Sequence, residues 1–357
     1  MVATTQIIPS CEPAPASSRA VLLCLGPSAQ GRLQIQRVLR RKPRSDEVEV
    51  AVTAASVNPI DVRRAQGYGR RLLSLLGAGK FPMVLGNDLA GVVTAVGSGV
   101  SAFRLGDRVY GTKPPSTDGT HASHVLVKAA HLLPAPPEGD LQALAALPYS
   151  FVTMWLAVRG AGLTPQNARG KSVLVLGAAG GLGTLALQML STWGATVAAI
   201  ARPQDFPACR EAGARVVIDS TGKPFASLSR TFDATLNFAS WELDRLLLGC
   251  LHDGAFGHAT TVHPLLGNFD ELGWVRGALK TMSDKRSHRA ALPKRVQNYH
   301  WTIFKPEAAA LSELGKLVER RRIFLPMGPR VLLTDAAQGF DHVKTGRRGR
   351  VLILPDS

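Results

Sequence analysis

Hydrophobic and polar positions follow two different styles along the chain. Between residues 21 and 150 the apolar runs are short and turn residues frequent: 47–55 alternates apolar and polar, 90–96 is rich in β-formers, and Leu105-Gly106-Asp107 leads into Arg108-Val109-Tyr110. Many period-two runs in series predict a β-barrel or sandwich. After Ser150 strand-like runs at 172–176, 196–201, 215–218, 234–238 and 255–260 are interleaved with helix-like runs at 182–193 and 207–212. Such alternation predicts a parallel, doubly wound α/β sheet. A helix over 306–321 precedes strand-like 330–333 and 350–354, so the chain ends as it began, in β. With no internal repeat or low-complexity linker, the simplest organisation inserts the α/β unit into the β-rich one. The expected boundaries are a flexible tail over 1–20, a β-rich domain over 21–150 and 301–357, and an α/β domain over 151–300.

The length of 357 residues suits two cores, and 45% hydrophobic with 19% charged residues excludes a disordered chain. Lys and Arg number 42 against 26 Asp and Glu, a formal charge of +16 that favours anionic partners: nucleic acid, a phosphorylated cofactor or an acyl carrier. Cys11, Cys24, Cys209 and Cys250 lack the spacing of a zinc site or redox motif, which implies a reducing compartment. The first 20 residues are polar and Pro-rich with no cation before Arg19, unlike a secretory signal or an Arg-rich presequence, so a cytoplasmic location is expected. Residues 172–201 carry no charge over a length that could span a bilayer, but the cluster Gly177, Gly180, Gly181 and Gly183 marks a buried strand-turn-helix instead of a membrane span.

That segment holds the clearest chemistry. In Val173-Leu174-Val175-Leu176-Gly177-Ala178-Ala179-Gly180-Gly181-Leu182-Gly183 the glycines end a buried strand and open a helix, where backbone can approach a pyrophosphate and helix-start amides attract its charge. Gly177, Ala179, Gly180, Gly181 and Leu182 are the expected contacts to a dinucleotide. The next strand ends in Arg202, where an NAD-binding chain usually places an acid for the ribose hydroxyls. A cation there suits the 2′-phosphate of NADPH, the expected cofactor. The other option is an Arg202 that is merely exposed while Asp205 reaches back as a displaced ribose acceptor.

The segments 54–61 (Ala-Ala-Ser-Val-Asn-Pro-Ile-Asp), 85–91 (Leu-Gly-Asn-Asp-Leu-Ala-Gly), Gly106-Asp107-Arg108-Val109, the glycine loop and Gly349-Arg350-Val351-Leu352 occur in an order that resembles the medium-chain dehydrogenase/reductase superfamily from about residue 20 onward. Ser-Val-Asn-Pro-Ile-Asp and Gly67-Tyr68-Gly69 are most similar to the zinc-free quinone oxidoreductases, on the branch of the reticulon-interacting mitochondrial protein. The resemblance implies a Rossmann domain inserted into a GroES-like β-barrel catalytic domain, an NADPH-dependent reductase and a homodimer. Zinc-using relatives have His where this chain has Asn87, Cys is missing from 57–61, and no four-Cys loop exists, so no metal is expected. His121 and His124, on a strand expected over 120–127, would point to opposite faces.

Without a Lewis acid, the substrate must already accept electrons: a quinone, an enone or an enoyl thioester. Tyr68 matches the position of a substrate-side Tyr in related enoyl reductases and is the candidate proton donor, with packing in a Gly-rich loop as the alternative. Asn58 resembles a residue beside the nicotinamide, or else forms an Asn-Pro turn. Asp61 and Asp88 are expected to fix loops. Thr153 corresponds to a residue touching the nicotinamide; Asn237, Thr260 and Thr261 follow strands whose carboxyl ends face the cofactor. Arg350 closes the basic segment 347–350, which in related chains is near the cofactor, with a solvated basic turn as the alternative. Lys285, Arg286, His288, Arg289, Lys294 and Arg295 crowd 283–300, a solvated face or a receiver for the phosphates of coenzyme A or an acyl carrier. Nucleic acid is a minor expectation, because only 6% of residues are aromatic and none cluster into a stacking platform. The competing function is a catalytically weak cofactor-binding protein with an RNA-binding or structural role.

Overall fold

A computed structural model describes residues 7–8, 18–28, 32–222 and 225–356. The chain divides into two units, one of Met1–Tyr149, Pro306–Glu319 and Pro326–Ser357, the other of Ser150–Lys305 and Arg320–Leu325.

The first unit is built on the long strand Glu47–Val57, which pairs antiparallel with Asp88–Val96, His124–Lys128 and Arg350–Leu354. Its alternating valines, Val48, Val50 and Val52, pack with Val93, Val109, Val125 and Val127 into one core. Val57, Val351 and Ile353 join Leu85, Phe340 and Cys24 in a second. A smaller sheet sets Ser18–Cys24 between Leu33–Leu39 and Met83–Val84. The flexible-tail expectation therefore fails at Ser18–Ala20, which pair with Arg37–Leu39, and at Ile7–Ile8, which pair with Val38 and Arg37; its other positions lie outside the described residues. The strand expected over 120–127 starts only at His124.

The second unit is a six-stranded, wholly parallel sheet with Ser172–Leu176 and Ala234–Asn237 at its centre. Val173, Leu174 and Val175 are fully buried, as a strand covered on both faces requires. Residues 172–201, free of charge, form strand Ser172–Leu176, helix Gly181–Thr192 and strand Thr196–Ala201, and no helix among the described residues is long and apolar enough to cross a membrane. The edge strand Asn298–Trp301 pairs in parallel with Gly257–Thr260. A boundary at 300/301 would cut this strand, so the second unit extends to Lys305 and also takes Arg320–Leu325. The basic run 283–300 starts inside a long helix, Leu265–Ala290.

Candidate active site and cofactor site

In the second unit the glycine loop has the backbone that its sequence demands. Gly177 has φ +79°, a left-handed conformation that turns the chain out of the strand, and Gly180 caps the helix Gly181–Thr192 without any side-chain hydrogen bond. A Cβ on Gly183 would stand 2.2 Å from the Gly177 carbonyl oxygen, so the first helical turn lies directly on the loop. Gly180 is exposed, and a Cβ there would meet nothing closer than 3.3 Å. Uncapped helix-start amides beside an open glycine fit the pyrophosphate of a dinucleotide. Ala179, Gly181 and Leu182 are half-buried beside it.

Arg202 follows the strand Thr196–Ala201, and its Nε donates to Asp205 Oδ2 at 3.1 Å. The Arg202 side chain is 56% exposed and that of Asp205 6%. Asp205 thus anchors a cation that still faces solvent.

Asn237, Thr260 and Thr261 meet at the ends of two paired strands, Asn237 opposite Thr260. Asn237 spends its whole side chain locally: Oδ1 accepts from the N–H groups of Ala239 and Ser240, and Nδ2 donates at 2.7 Å to the Ser240 carbonyl and to Asp244 Oδ1. Its carbonyl accepts from the Thr261 N–H at 3.1 Å, while Thr260 Oγ1 accepts from the Val262 N–H. Thr153 is buried on the helix Pro148–Gly160.

Behind Asn237 lies a cluster that sequence reasoning missed. Asp244, fully buried, accepts from His258 Nε2 at 2.9 Å, His288 Nδ1 at 3.0 Å and Asn237 Nδ2 at 2.7 Å, with the Tyr299 hydroxyl at 3.5 Å. On the far side of the ring, His258 Nδ1 lies 2.7 Å from the Thr235 hydroxyl, so the imidazole is held at both nitrogens. Burial alone would raise the Asp244 pKa; the charge and hydrogen bond of His258 and the bonds from His288 and Asn237 outweigh it and hold the carboxylate far below its ordinary range.

In the first unit Asn58 and Arg350, 292 positions apart, are brought together: Arg350 Nη1 donates to Asn58 Oδ1 at 2.6 Å. Asn58 Nδ2 in turn donates to Ser56 Oγ at 3.1 Å and Asp88 Oδ1 at 3.3 Å, and the Ser56 hydroxyl donates to Asp88 at 2.6 Å. Asp61, at the third position of the helix Pro59–Ala65, accepts from the Asn58 N–H at 2.8 Å and from the Gly86 N–H at 3.0 Å, tying the loop before the helix to the loop before Asp88. His121 Nε2 donates to the Ser56 carbonyl at 3.0 Å. Burial pushes Asp88 up to about 7, beyond what Ser56, Arg350 and Asn58 recover. Asp88 and Asp61 do fix loops, but Asp88 is also a carboxyl poised near neutrality, which a lone Asp opening an apolar strand could have suggested.

Tyr68 sits half-buried in the turn after this helix, with the Arg63 guanidinium 3.6 Å from its ring centroid. Asn87 is buried, its Nδ2 donating to the Lys113 carbonyl at 3.1 Å. His121 and His124 do not converge, and no group of three or more His, Cys, Asp or Glu side chains that could hold a metal occurs among the described residues.

Comparison with known proteins adds the lineage. The alcohol dehydrogenase GroES-like domain family matches residues 44–137. The chain is 33% identical over 323 residues to the mitochondrial NAD(P)H oxidoreductase RTN4IP1 of Bos taurus, covering 86% of this chain and 81% of that one. It is 35% identical over 202 residues, 54% of this chain and 50% of the relative, to the chloroplastic NADPH-dependent alkenal/one oxidoreductase of Arabidopsis thaliana. Its fold matches the quinone oxidoreductase from Coxiella burnetii with a TM-score of 0.76 at 20% identity, over 94% of this chain and 99% of that one. The cytoplasmic expectation does not stand, because the RTN4IP1 relatives from cattle, mouse and human are all named as mitochondrial. Cys24, Cys209 and Cys250 are buried, and cysteine spacing alone does not say which compartment holds the chain.

Proposed function

The chain belongs to the medium-chain dehydrogenase/reductase superfamily, beside the RTN4IP1 oxidoreductases, and is an oxidoreductase of NAD(P)H; on that premise we propose that it is a mitochondrial NADPH-dependent reductase of quinones or of carbon-carbon double bonds conjugated to a carbonyl, working without zinc. The observation that carries the choice of acceptor is the donor set of the first unit. Where zinc-using relatives place a His, Asn87 is tied to a backbone carbonyl, and the buried cluster around the next residue, Asp88, consists of an amide, a guanidinium, a hydroxyl and a carboxyl near neutrality. Such groups orient and donate hydrogen bonds, which suits an acceptor already polarised by conjugation. The name of the Arabidopsis thaliana relative, an alkenal/one reductase, supports the same class.

NADPH, when bound, supplies the hydride. The glycine loop would hold its pyrophosphate, and Arg202, oriented by Asp205, would meet its 2′-phosphate. Arg350 and Asn58 hold each other in one buried orientation, so the Asn58 amide is preorganised. The Tyr68 hydroxyl is the proton donor to the reduced acceptor, with Arg63 setting positive charge against its ring.

The test is NADPH oxidation, followed by absorbance, with a panel of quinones, enones and enoyl-coenzyme A esters. At least one class should turn over, and Tyr68→Phe should lower kcat by about a hundredfold while leaving NADPH affinity nearly intact. No oxidation with any class would remove the reductase reading; unchanged kcat would remove Tyr68 from it.

A further inference from the structure

The helix Leu265–Ala290 wears its side chains inside out. A break at Gly273, with φ +77°, folds its first turns back onto the rest, where a Cβ on Gly277 would stand 2.7 Å from the Asn268 carbonyl oxygen. The inward positions are polar: Asn268 Nδ2 donates to Thr281 Oγ1 at 3.2 Å and Asp284 Oδ2 at 3.1 Å, and His288 donates to Asp244 with Trp241 stacked 4.1 Å from its ring.

The outward positions are apolar. Val275 is 74% exposed, Leu279 63% and Met282 68%, and at about 100° per residue all three lie within a sector of about 60°. Leu272 and Trp274 extend the patch across the break. Arg276 and Lys280 flank the stripe on one side, Lys285 and Arg289 on the other, and Arg286 continues it by one turn. Asp284, the single acid between 274 and 290, faces inward and pairs with Lys280.

We propose that this helix docks the protein onto an anionic lipid bilayer, with Val275, Leu279 and Met282 entering the headgroup boundary and the flanking cations meeting lipid phosphates. A stripe of three exposed apolar side chains on one helix face suits an interface that takes apolar groups at shallow depth. Charge complementarity selects the occupant: from Trp274 to Ala290 the outward face carries cations and no carboxylate, Glu271 lying before the break, and on a chain of net charge +16 it is drawn to a negative surface. A symmetric contact between two copies of this helix would press Arg276, Arg286 and Arg289 against their own kind.

The experiment is flotation of the full chain with vesicles of phosphatidylcholine alone or with roughly one third phosphatidylglycerol. The parent should float with the anionic vesicles at low salt and stay behind with the neutral ones. Leu279→Glu/Met282→Glu and Arg286→Glu/Arg289→Glu should each cut the partition coefficient about tenfold with thermal unfolding unchanged, since all four side chains are exposed. A parent that ignores anionic vesicles, or a double variant that floats like the parent, overturns the proposal. Two further outcomes would do the same: a parent dimer that the apolar variant splits without any vesicle binding assigns the face to a second copy, and salt-sensitive retention on poly-glutamate without vesicle binding assigns it to an acidic protein.

Discussion

Asp88 in the first unit and Asp244 in the second are both carboxyls with no exposed surface, and they are driven in opposite directions. Desolvation acts alike on both. The difference lies in what faces the oxygens. Asp244 takes two imidazole N–H groups and an amide, with a phenol at the edge of reach, all from elements of one sheet and the helices on it. Asp88 takes a hydroxyl and a long amide bond, while the cation that could neutralise it, Arg350, spends its short hydrogen bond on Asn58. Donor supply decides whether a buried acid is a fixed strut or a group that titrates in the working range. By that criterion Asp88 titrates in the working range and Asp244 is a fixed strut.

Removing the strut should have the largest effect. Asp244→Ala leaves the Asn237 amide and two imidazole donors buried without an acceptor, a loss on the order of 3–5 kcal/mol. Denaturant unfolding should show the midpoint fall steeply. A drop under about 1 kcal/mol would mean that solvent or neighbours satisfy those donors, and the comparison would collapse.

The poised acid gives a smaller effect with a distinctive sign. Asp88 keeps its proton in the folded state up to about 7, while the unfolded chain releases it near 3.8, so folding takes up a proton between those values. Its contribution is fully present below the unfolded value and is lost as pH rises through about 7, roughly 2–4 kcal/mol in all. Asp244 runs the other way, present above its unfolded value of 3.8 and lost only in stronger acid. Thermal unfolding of the parent from pH 4 to pH 8, compared with Asp88→Asn, isolates the first contribution: the variant should lose the decline toward neutral pH. Identical slopes would show that Asp88 is ionised throughout.

How far each region could be read from sequence follows from the same distinction between local and distant partners. Strands 172–176, 196–201 and 350–354 fall on their observed bounds because buried parallel or central strands are continuous apolar runs. The glycine loop is legible because a positive φ at Gly177 and a close contact at Gly183 need glycine at fixed offsets. The Asn58-to-Asp61 tie is a spacing of three and could have been read as a helix start. Arg350 pairs with Asn58 across 292 positions, and Asp244 finds its partners 14, 44 and 55 residues later, so no window contains either cluster. The helix Leu265–Ala290 escaped for a different reason. Polar residues face in and apolar ones out, so its pattern reads as a basic run instead of a core helix.

Arg202 and Asp205 offer a third carboxylate with which to sharpen the contrast, one whose cation is on the outside. The pair is a single Nε contact with more than half of the arginine in solvent, so its contribution to stability is about 0–1 kcal/mol. Its value is positional: Asp205 holds the guanidinium at the end of Thr196–Ala201, one strand from the glycine loop. Arg202→Ala should therefore leave unfolding nearly unchanged and weaken NADPH by about tenfold, with NADH affected far less because it lacks the 2′-phosphate. Titrating both nucleotides against parent and variant separates the cases. Equal weakening would place Arg202 on the part of the dinucleotide that both share, and stronger binding of NADH by the variant, with Asp205 released from its partner, would mark Asp205 as a ribose acceptor held in check.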